Sequence, residues 1–165
     1  GKVPGVEAST GALGHGLPIG VGMAIAAKLQ NKEHKIIVIT GDGELNEGSN
    51  WEASMSASKH KLSNLCLIID YNKIQSYGKT SEVLELEPLS DKLKSFGYNV
   101  LEADGHNIKQ IKSCLNNFKK YHEKPTAIIC HTIKGKGLPF AEHNPLWHHK
   151  SNLKKSDYDK IYSSL

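Results

Sequence analysis

A run of β-branched residues leads into an acid between two glycines at residues 36–43, which read IIVITGDG. Four aliphatic residues in succession are typical of a strand that is buried on both faces of a parallel sheet. A second run, LCLIIDY at 65–71, follows after a helical pattern at 49–60. These segments predict a strand–helix–strand unit, whose crossover brings both strands to the same end of one sheet.

The same alternation continues along the rest of the chain. We predict further strands at 98–103 and 126–133 and further helices at 17–29, 88–96, 107–121 and 151–165. The predicted fold class is therefore α/β, an open and mostly parallel sheet with helices on both faces. Ligands of such sheets bind beyond the carboxyl ends of the strands. The segment 134–152 contains glycines and prolines without any period, which indicates a functional loop.

Composition narrows the class of protein. A chain of 165 residues with 38% hydrophobic and 23% charged residues is expected to form one globular domain. Every basic residue is lysine, and without the arginine fork we expect no nucleic-acid partner. The apolar runs are too short to cross a bilayer and no leader is visible, so we expect a cytoplasmic protein with no membrane partner. The three cysteines have no paired spacing and are predicted to be buried, reduced thiols.

Two polar side chains follow the first two predicted strands. Asp42 ends the first strand, and Asn72 ends the second about thirty positions later. Because neighbouring strands lie about 4.8 Å apart, the two side chains can converge. One carboxylate and one amide oxygen suit Mg²⁺ whose remaining ligands are phosphate oxygens, so the pair predicts a metal-bridged diphosphate. The alternative is that Asp42 only caps the helix that follows.

Several motifs, taken in chain order, resemble those of the transketolase family, which binds thiamine diphosphate. They are STGALGHG at 9–16, GDGELNEGSNWEA at 41–53, DYNKIQSYG at 70–78, TIKGKG at 132–137 and Trp147-His148. The resemblance extends over nearly the whole chain. It implies one thiamine-diphosphate-binding (pyrophosphate) domain over residues 1–165, expected to lack its N-terminal part, with the pyrimidine-binding domain absent.

The resemblance also implies which residues bind the cofactor and its metal. Side chains of Asp42 and Asn72 and the carbonyl of Ile74 are implied ligands of Mg²⁺, for which Ca²⁺ is a potential substitute. The residues implied to contact thiamine diphosphate are Gly11, Ala12, Leu13, Gly43, Asn72, Lys134 and His148. Gly43 is implied to do so through its backbone amide. The chain departs from the family at Ala12, where proline is common, and at His149, where glycine is common.

Catalytic roles are implied for three residues. His148 is expected to contact both the diphosphate and the donor sugar, while Glu47 and Glu52 are expected near a subunit interface. Each has an alternative that the sequence leaves open: the two glutamates are solvated helix carboxylates, and His148 is a surface loop histidine or joins His143 and His149 in an adventitious metal site. His131, inside an apolar strand, is predicted to be a core histidine.

The function implied by the resemblance is that of a transferase. The chain would be the part of a transketolase that binds diphosphate and magnesium, in an enzyme that moves a two-carbon ketol unit from a ketose phosphate to an aldose phosphate in pentose phosphate metabolism. The cofactor-activating glutamate belongs, in the family, to a pyrimidine-binding domain. We therefore expect a partner domain or subunit of that kind, in a homodimer or heterotetramer. The alternatives are another thiamine-diphosphate-dependent carboligase, resembling deoxyxylulose-phosphate synthase, and a non-catalytic assembly subunit.

Overall fold

The computed structural model describes residues 2–164 and contains six strands within that range. In chain order they are β1 (Ile36–Gly41), β2 (Leu65–Tyr71), β3 (Ile74–Gln75), β4 (Gly78–Lys79), β5 (Asn99–Asp104) and β6 (Thr126–His131). Four of them form a sheet in the order β1-β2-β6-β5, in which all neighbours are parallel. β3 and β4 form a small antiparallel hairpin directly after β2.

The helices alternate with these strands. They are α1 (Gly16–Leu29), α2 (Gly48–Lys59), α3 (Thr80–Val83), α4 (Leu89–Ser95), α5 (Ile108–Lys120) and α6 (Lys155–Ser163). The predicted α/β class is confirmed, and most element boundaries agree within one or two residues. The predictions missed the β3–β4 hairpin, α3 and two 3-10 helices, Gly43–Asn46 and Pro145–Trp147. The last predicted helix begins at Lys155 instead of 151.

Helices lie on both faces of the sheet, as expected, but β1 is not buried on both faces as predicted: it is an edge strand, and Ile37 and Ile39 on one face are 49% and 70% exposed. On one face, residues of α1, α2 and α4 pack with Val38, Leu67 and Ile69 in the larger core. On the other face, Phe118 of α5 packs against Cys66 and Ile128. This two-layered covering explains why β2 and β6, the central strands, are almost continuously apolar.

Close packing fixes α1 on the sheet. A Cβ atom at Gly20 would lie 2.3 Å from Cγ2 of Val38, so only glycine allows this approach. α1 leads out of the 9–16 motif, and β1 leads into Asp42. The contact between α1 and β1 therefore sets the position of two predicted site segments relative to each other.

Some side-chain environments differ from the predictions. Cys66 and Cys130 are buried and Cys114 is half-buried, all three as free thiols. His131 is not a core residue: its side chain is 47% exposed, and its Nε2 lies 2.8 Å from Oε2 of Glu102. That prediction was wrong because His131 is the last residue of β6, where the strand leaves the core. Within residues 2–164, none of the helices combines the length and apolar character that crossing a membrane requires.

Candidate cofactor site

The carboxyl ends of β1 and β2 bring Asp42 against the turn that follows β2. Gly41 lies opposite Asp70 in the parallel register, and the Asp42 amide donates to the Asp70 carbonyl at 3.2 Å. The Asp42 carboxylate accepts hydrogen bonds from the Gly43 amide, 2.7 Å from Oδ1, and from the Lys73 amide at Oδ2. Asp42 is thus bonded to the residue next to Asn72.

Asn72 and Ile74 form the turn itself. The Ile74 amide donates to Asn72 Oδ1 at 3.0 Å, both residues are buried, and Lys73 between them has a left-handed backbone with φ of 65°. Such a side-chain bond to the amide two residues on is the usual way in which asparagine reverses the chain. Asn72 Oδ1 and each Asp42 oxygen accept one hydrogen bond, and oxygens of this kind have a second lone pair. Lone pairs that can face a cation therefore remain.

Burial controls the charge of Asp42, which is only 1% exposed. Burial raises the pKa of the Asp42 carboxyl above its usual value of 3.8, an effect only partly opposed by the amides of Lys73 and Gly43 and by the charge of Lys134. A buried carboxylate favours any group that neutralises it, whether a proton or a metal cation. This environment fits a cation-binding role.

Gly43 begins the 3-10 helix Gly43–Asn46, which Asp42 caps. The hydrogen bond that the capping alternative requires, from the Gly43 amide to the Asp42 side chain, is therefore present. A Cβ atom at Gly43 would lie 2.7 Å from Cβ of Gln75, so the hairpin presses directly on this glycine. Nε2 of Gln75 is buried and has no hydrogen-bond partner. Gln75 was missed by sequence reasoning, and only its place next to Ile74 could have suggested it.

The loop that carries Gly11, Ala12 and Leu13 is exposed, but it is tied down at Gly14. The Gly14 amide donates to Oε1 of Glu44 at 3.0 Å, and its carbonyl accepts from Oγ of Ser49 at 2.6 Å. These bonds place the loop beside the helix that begins at Gly43. Glu44 and Ser49 were also missed, although Glu44 directly follows the GDG motif.

Glu47 and Glu52 lie at the start of α2. Glu47 is the N-cap residue of α2, Glu52 lies within the helix, and both side chains are exposed. Exposure of both residues is compatible with solvated carboxylates and with a position at a subunit interface. Their catalytic roles stay predictions.

Lys134 and His148 come from the irregular segment 134–152. Lys134 is half-buried, and its positive charge lowers the pKa of both Asp42 and His148. The segment also packs on itself, since the rings of Phe140 and Trp147 lie 5.0 Å apart. The segment is therefore held by contacts of its own.

His148 is held against the β3–β4 hairpin. Its Nε2 lies 3.2 Å from Oγ of Ser76, and its Nδ1 is buried without a partner. Burial, followed by the charges of Lys134 and His149, lowers the pKa of His148 below 6.5. His149 has a left-handed backbone with φ of 55°, a conformation that glycine adopts most easily, which fits the family's glycine at this position.

The donor set fits a diphosphate better than an isolated metal ion. Within residues 2–164, no three His, Cys, Asp or Glu side chains gather closely enough to hold a metal by themselves, and this range includes His143, His148 and His149. Eight buried side-chain atoms within residues 2–164 have no hydrogen-bond partner, and two of them, Gln75 Nε2 and His148 Nδ1, belong to residues beside Gly43 or in the segment 134–152. These two are candidates to bond a polar ligand.

Comparisons with known proteins agree with this geometry. The family model described as transketolase, thiamine diphosphate binding domain, matches residues 1–165. One subunit of the apulose-4-phosphate transketolase of Actinobacillus succinogenes is 50% identical over 149 residues, which is 90% of this chain and 54% of that protein. Its counterpart in Phocaeicola vulgatus is 46% identical over 148 residues, 90% of this chain and 53% of that protein.

The solved structures show the same fold. The transketolase of Campylobacter jejuni superposes with a TM-score of 0.86 at 34% identity, covering 96% of this chain and 26% of that one. The chain thus spans about half the length of the two apulose-4-phosphate transketolase subunits and about a quarter of the Campylobacter jejuni enzyme. The chain belongs to the transketolase family, as a thiamine-diphosphate-binding domain.

Proposed function

We propose that this chain is the diphosphate- and magnesium-binding part of a transketolase, which moves a two-carbon ketol unit from a ketose phosphate to an aldose phosphate. One observation carries the proposal: the buried Asp42 carboxylate is hydrogen-bonded to the Asn72–Ile74 turn on the neighbouring strand. The similarity to transketolase subunits favours ketol transfer over the chemistry of other carboligases.

The cation would be held by Asp42, Asn72 and the carbonyl oxygen of Ile74. These ligands offer one negative charge and neutral oxygens, which leaves Mg²⁺ or Ca²⁺ in need of further anionic ligands. Two oxygens of the cofactor's diphosphate would supply them. Metal and cofactor are therefore expected to bind together rather than separately.

The diphosphate would meet donors from several elements. The Gly43 amide donates to Asp42 Oδ1 in the structure, so contact with the diphosphate requires this amide to exchange a carboxylate oxygen for a phosphate oxygen. The cation would then take over the freed carboxylate oxygen. Lys134 adds positive charge, His148 adds a ring nitrogen, and the exposed loop from Gly11 to Leu13 adds backbone contacts.

A partner is expected to complete the active site. When bound, thiamine diphosphate supplies the thiazolium carbon that carries the two-carbon group between sugars. The family's activating glutamate belongs to a pyrimidine-binding domain, and two relatives are named as individual subunits of a transketolase, which supports a second subunit. We propose an assembly as a homodimer or heterotetramer, in which the exposed Glu47 and Glu52 lie near the interface.

Calorimetry tests the cofactor site directly. Thiamine diphosphate is titrated with Mg²⁺ into the intact protein together with its pyrimidine-domain partner. Asp42→Asn is expected to weaken binding at least about 100-fold, since it removes the only charged ligand. Asp70→Asn is the matched control: it removes an exposed carboxylate from the end of the adjacent strand, in register with Gly41, and should change affinity only a few-fold.

The reaction is tested separately from binding. Ketol transfer from a ketose phosphate to an aldose phosphate should be lost in Asp42→Asn and kept in Asp70→Asn. Equal cofactor affinity in the two variants contradicts the metal site. Intact binding with pyruvate-dependent condensation and no ketol transfer favours the other carboligases, and intact binding with neither activity favours a non-catalytic role in assembly.

A further inference from the structure

The tip of the β3–β4 hairpin contacts the segment that carries His148. Ser76 lies at this tip, and its hydroxyl oxygen is 3.2 Å from Nε2 of His148, which is 72 positions later in the chain. The two residues come from separate irregular stretches of backbone. A single side-chain hydrogen bond therefore connects the hairpin that presses on Gly43 with the loop that carries the histidine.

The chemistry of the imidazole ring gives this contact a direction. A neutral imidazole carries its proton on one nitrogen and accepts at the other, whereas a serine hydroxyl can either donate or accept. When the Ser76 hydroxyl donates to Nε2, the ring proton must lie on Nδ1. Nδ1 is the buried nitrogen that has no partner in the protein, so no protein acceptor takes up its N–H.

The opposite arrangement suits an anionic ligand poorly. With the proton on Nε2, the buried Nδ1 would present only a lone pair, which cannot bond to a diphosphate oxygen because that oxygen is itself an acceptor. A positively charged ring is also disfavoured, because the ring is partly buried and lies near Lys134 and His149. A neutral ring that donates through Nδ1 is the form that fits the proposed ligand.

His149 holds the ring from another side. The two imidazoles lie 4.2 Å apart between centroids, in an edge-on arrangement with an interplanar angle of 85°. His149 reaches this position from a left-handed backbone, which is unfavourable for a residue with a Cβ atom. The His148 ring is thus fixed by a hydrogen bond at Nε2 and by an aromatic contact with its neighbour.

We propose that Ser76 is a positioning residue, which donates to Nε2 of His148 and so holds the ring in the tautomer whose Nδ1–H points to the diphosphate and donor sugar. The part that concerns the ligand rests on the proposed function. The tautomer itself is a property of the protein alone, and it is measured without cofactor.

Nitrogen NMR of the intact protein, labelled with ¹⁵N-histidine, tests the tautomer. The His148 signals are identified by their absence in His148→Gln. We expect a protonated Nδ1 and an unprotonated Nε2 in the wild type and in Ser76→Thr, which keeps the hydroxyl. Ser76→Ala should shift the ring towards the Nε2-protonated form. An Nε2-protonated ring in the wild type, or an unchanged ring in Ser76→Ala, overturns the inference.

Cofactor affinity gives the second measurement. Loss of a neutral hydrogen bond is worth roughly a factor of five, so Ser76→Ala should weaken thiamine diphosphate binding about three- to tenfold. Ser76→Thr and the control Ser113→Ala, an exposed serine of α5, should bind as the wild type does. A changed tautomer with unchanged affinity overturns the link to the ligand. If the wild type itself binds no cofactor, the proposed function fails and the NMR result still decides the tautomer.

Discussion

The site residues fall into two regions that differ in how they are held. Asp42, Gly43, Asn72 and Ile74, the strand-end region, are buried or half-buried at the ends of β1 and β2. Lys134, His148 and the loop from Gly11 to Leu13, the peripheral region, are exposed or half-buried and lie on irregular backbone. The same proposed ligand would contact both regions.

The two regions differ in the number of hydrogen bonds that connect them to the ends of β1 and β2. The strand-end region is fixed by the parallel register and by several backbone hydrogen bonds around Asp42. The peripheral region is held mainly by bonds within its own segments, such as that from the His143 amide to the Lys134 carbonyl at 3.0 Å. Its links to the strand-end region and its neighbours are fewer: Gly14 to Glu44 and Ser49, and His148 to Ser76. Changes in the strand-end region should therefore affect folding and binding together, whereas changes in the peripheral region should affect mainly binding.

After Asp42→Asn, the largest effect is expected from Gly43→Ala, also in the strand-end region. The new methyl group would meet Cβ of Gln75 at 2.7 Å, and either the hairpin or the Gly43 amide would have to move. Such overpacking costs about 1–3 kcal/mol of unfolding free energy. We also expect binding of thiamine diphosphate to weaken about 100-fold, measured by calorimetry beside thermal unfolding.

Gly41→Ala is the matched control for this prediction. Gly41 lies two positions earlier on the same strand end, and a Cβ atom there meets nothing within 4 Å. Its stability and cofactor affinity should stay close to those of the wild type. If Gly41→Ala and Gly43→Ala bind equally well, contact between the hairpin and Gly43 is not what shapes the site.

Gly14→Ala tests the link that holds the loop from Gly11 to Leu13. Gly14 has φ of +79°, and a Cβ atom would lie 2.4 Å from Oγ of Ser49. A left-handed backbone costs an ordinary residue about 1–2 kcal/mol, and relief of the clash should move the loop. We expect roughly tenfold weaker cofactor binding by calorimetry, which is less than for Gly43→Ala.

The control for Gly14→Ala is Gly22→Ala, because Gly22 is an exposed helical glycine whose Cβ atom would meet nothing within 4 Å. Its affinity should not change. An affinity loss in Gly14→Ala as large as that in Gly43→Ala would show that the peripheral loop is as essential as the strand ends, and would remove the distinction between the two regions.

The strand-end region was the easier part to predict from sequence. The strand at 65–71 is apolar because it is central in the sheet, whereas the strand at 36–41 is an apolar edge strand. Their parallel pairing fixes where Asp42 and Asn72 lie. Local pattern and long-range structure agree there. The four sheet strands and the longer helices follow from the same alternation, within a few residues at their ends.

The remaining features depend on contacts between distant segments. Glu44 and Ser49 matter because Gly14 lies beside them, 30 and 35 positions away in sequence, and Ser76 matters because His148 reaches it. No local periodicity marks such pairs. For His131, in contrast, the local pattern was misleading. Its apolar neighbours indicated burial, but the strand ends at that residue and the side chain is exposed.

Lys134→Met tests the effect of one positive charge in the peripheral region, because it removes the charge and keeps the length of the side chain. The Lys134 ammonium acts on both Asp42 and His148, and its loss should weaken binding of the anionic cofactor about tenfold. The salt dependence of binding should also become shallower. Lys136→Met is the control, since Lys136 lies in the same loop and pairs with Glu142 at 3.5 Å. Equal effects of the two variants would indicate only a general electrostatic attraction.

The smallest effect concerns the pH dependence of His148. Burial of the ring, and then Lys134 and His149, lower the pKa of His148 below its usual value of 6.5. The unfolded chain therefore takes up this proton first as the pH falls, so the stability that the neutral ring contributes is present above pH 6.5 and is lost below it. Histidine NMR should give a midpoint below 6.5 for His148, and Lys134→Met should raise that midpoint.

His148→Gln is the control for stability, because it keeps a polar side chain and removes the titration. Its thermal stability should fall less than that of the wild type as the pH is lowered through this range. A His148 midpoint at 6.5 would mean that the ring is solvated. His148 would then be held no more firmly than a histidine in an ordinary surface loop. The two regions would then differ more in how firmly their side chains are held than the hydrogen bond between His148 and Ser76 indicates.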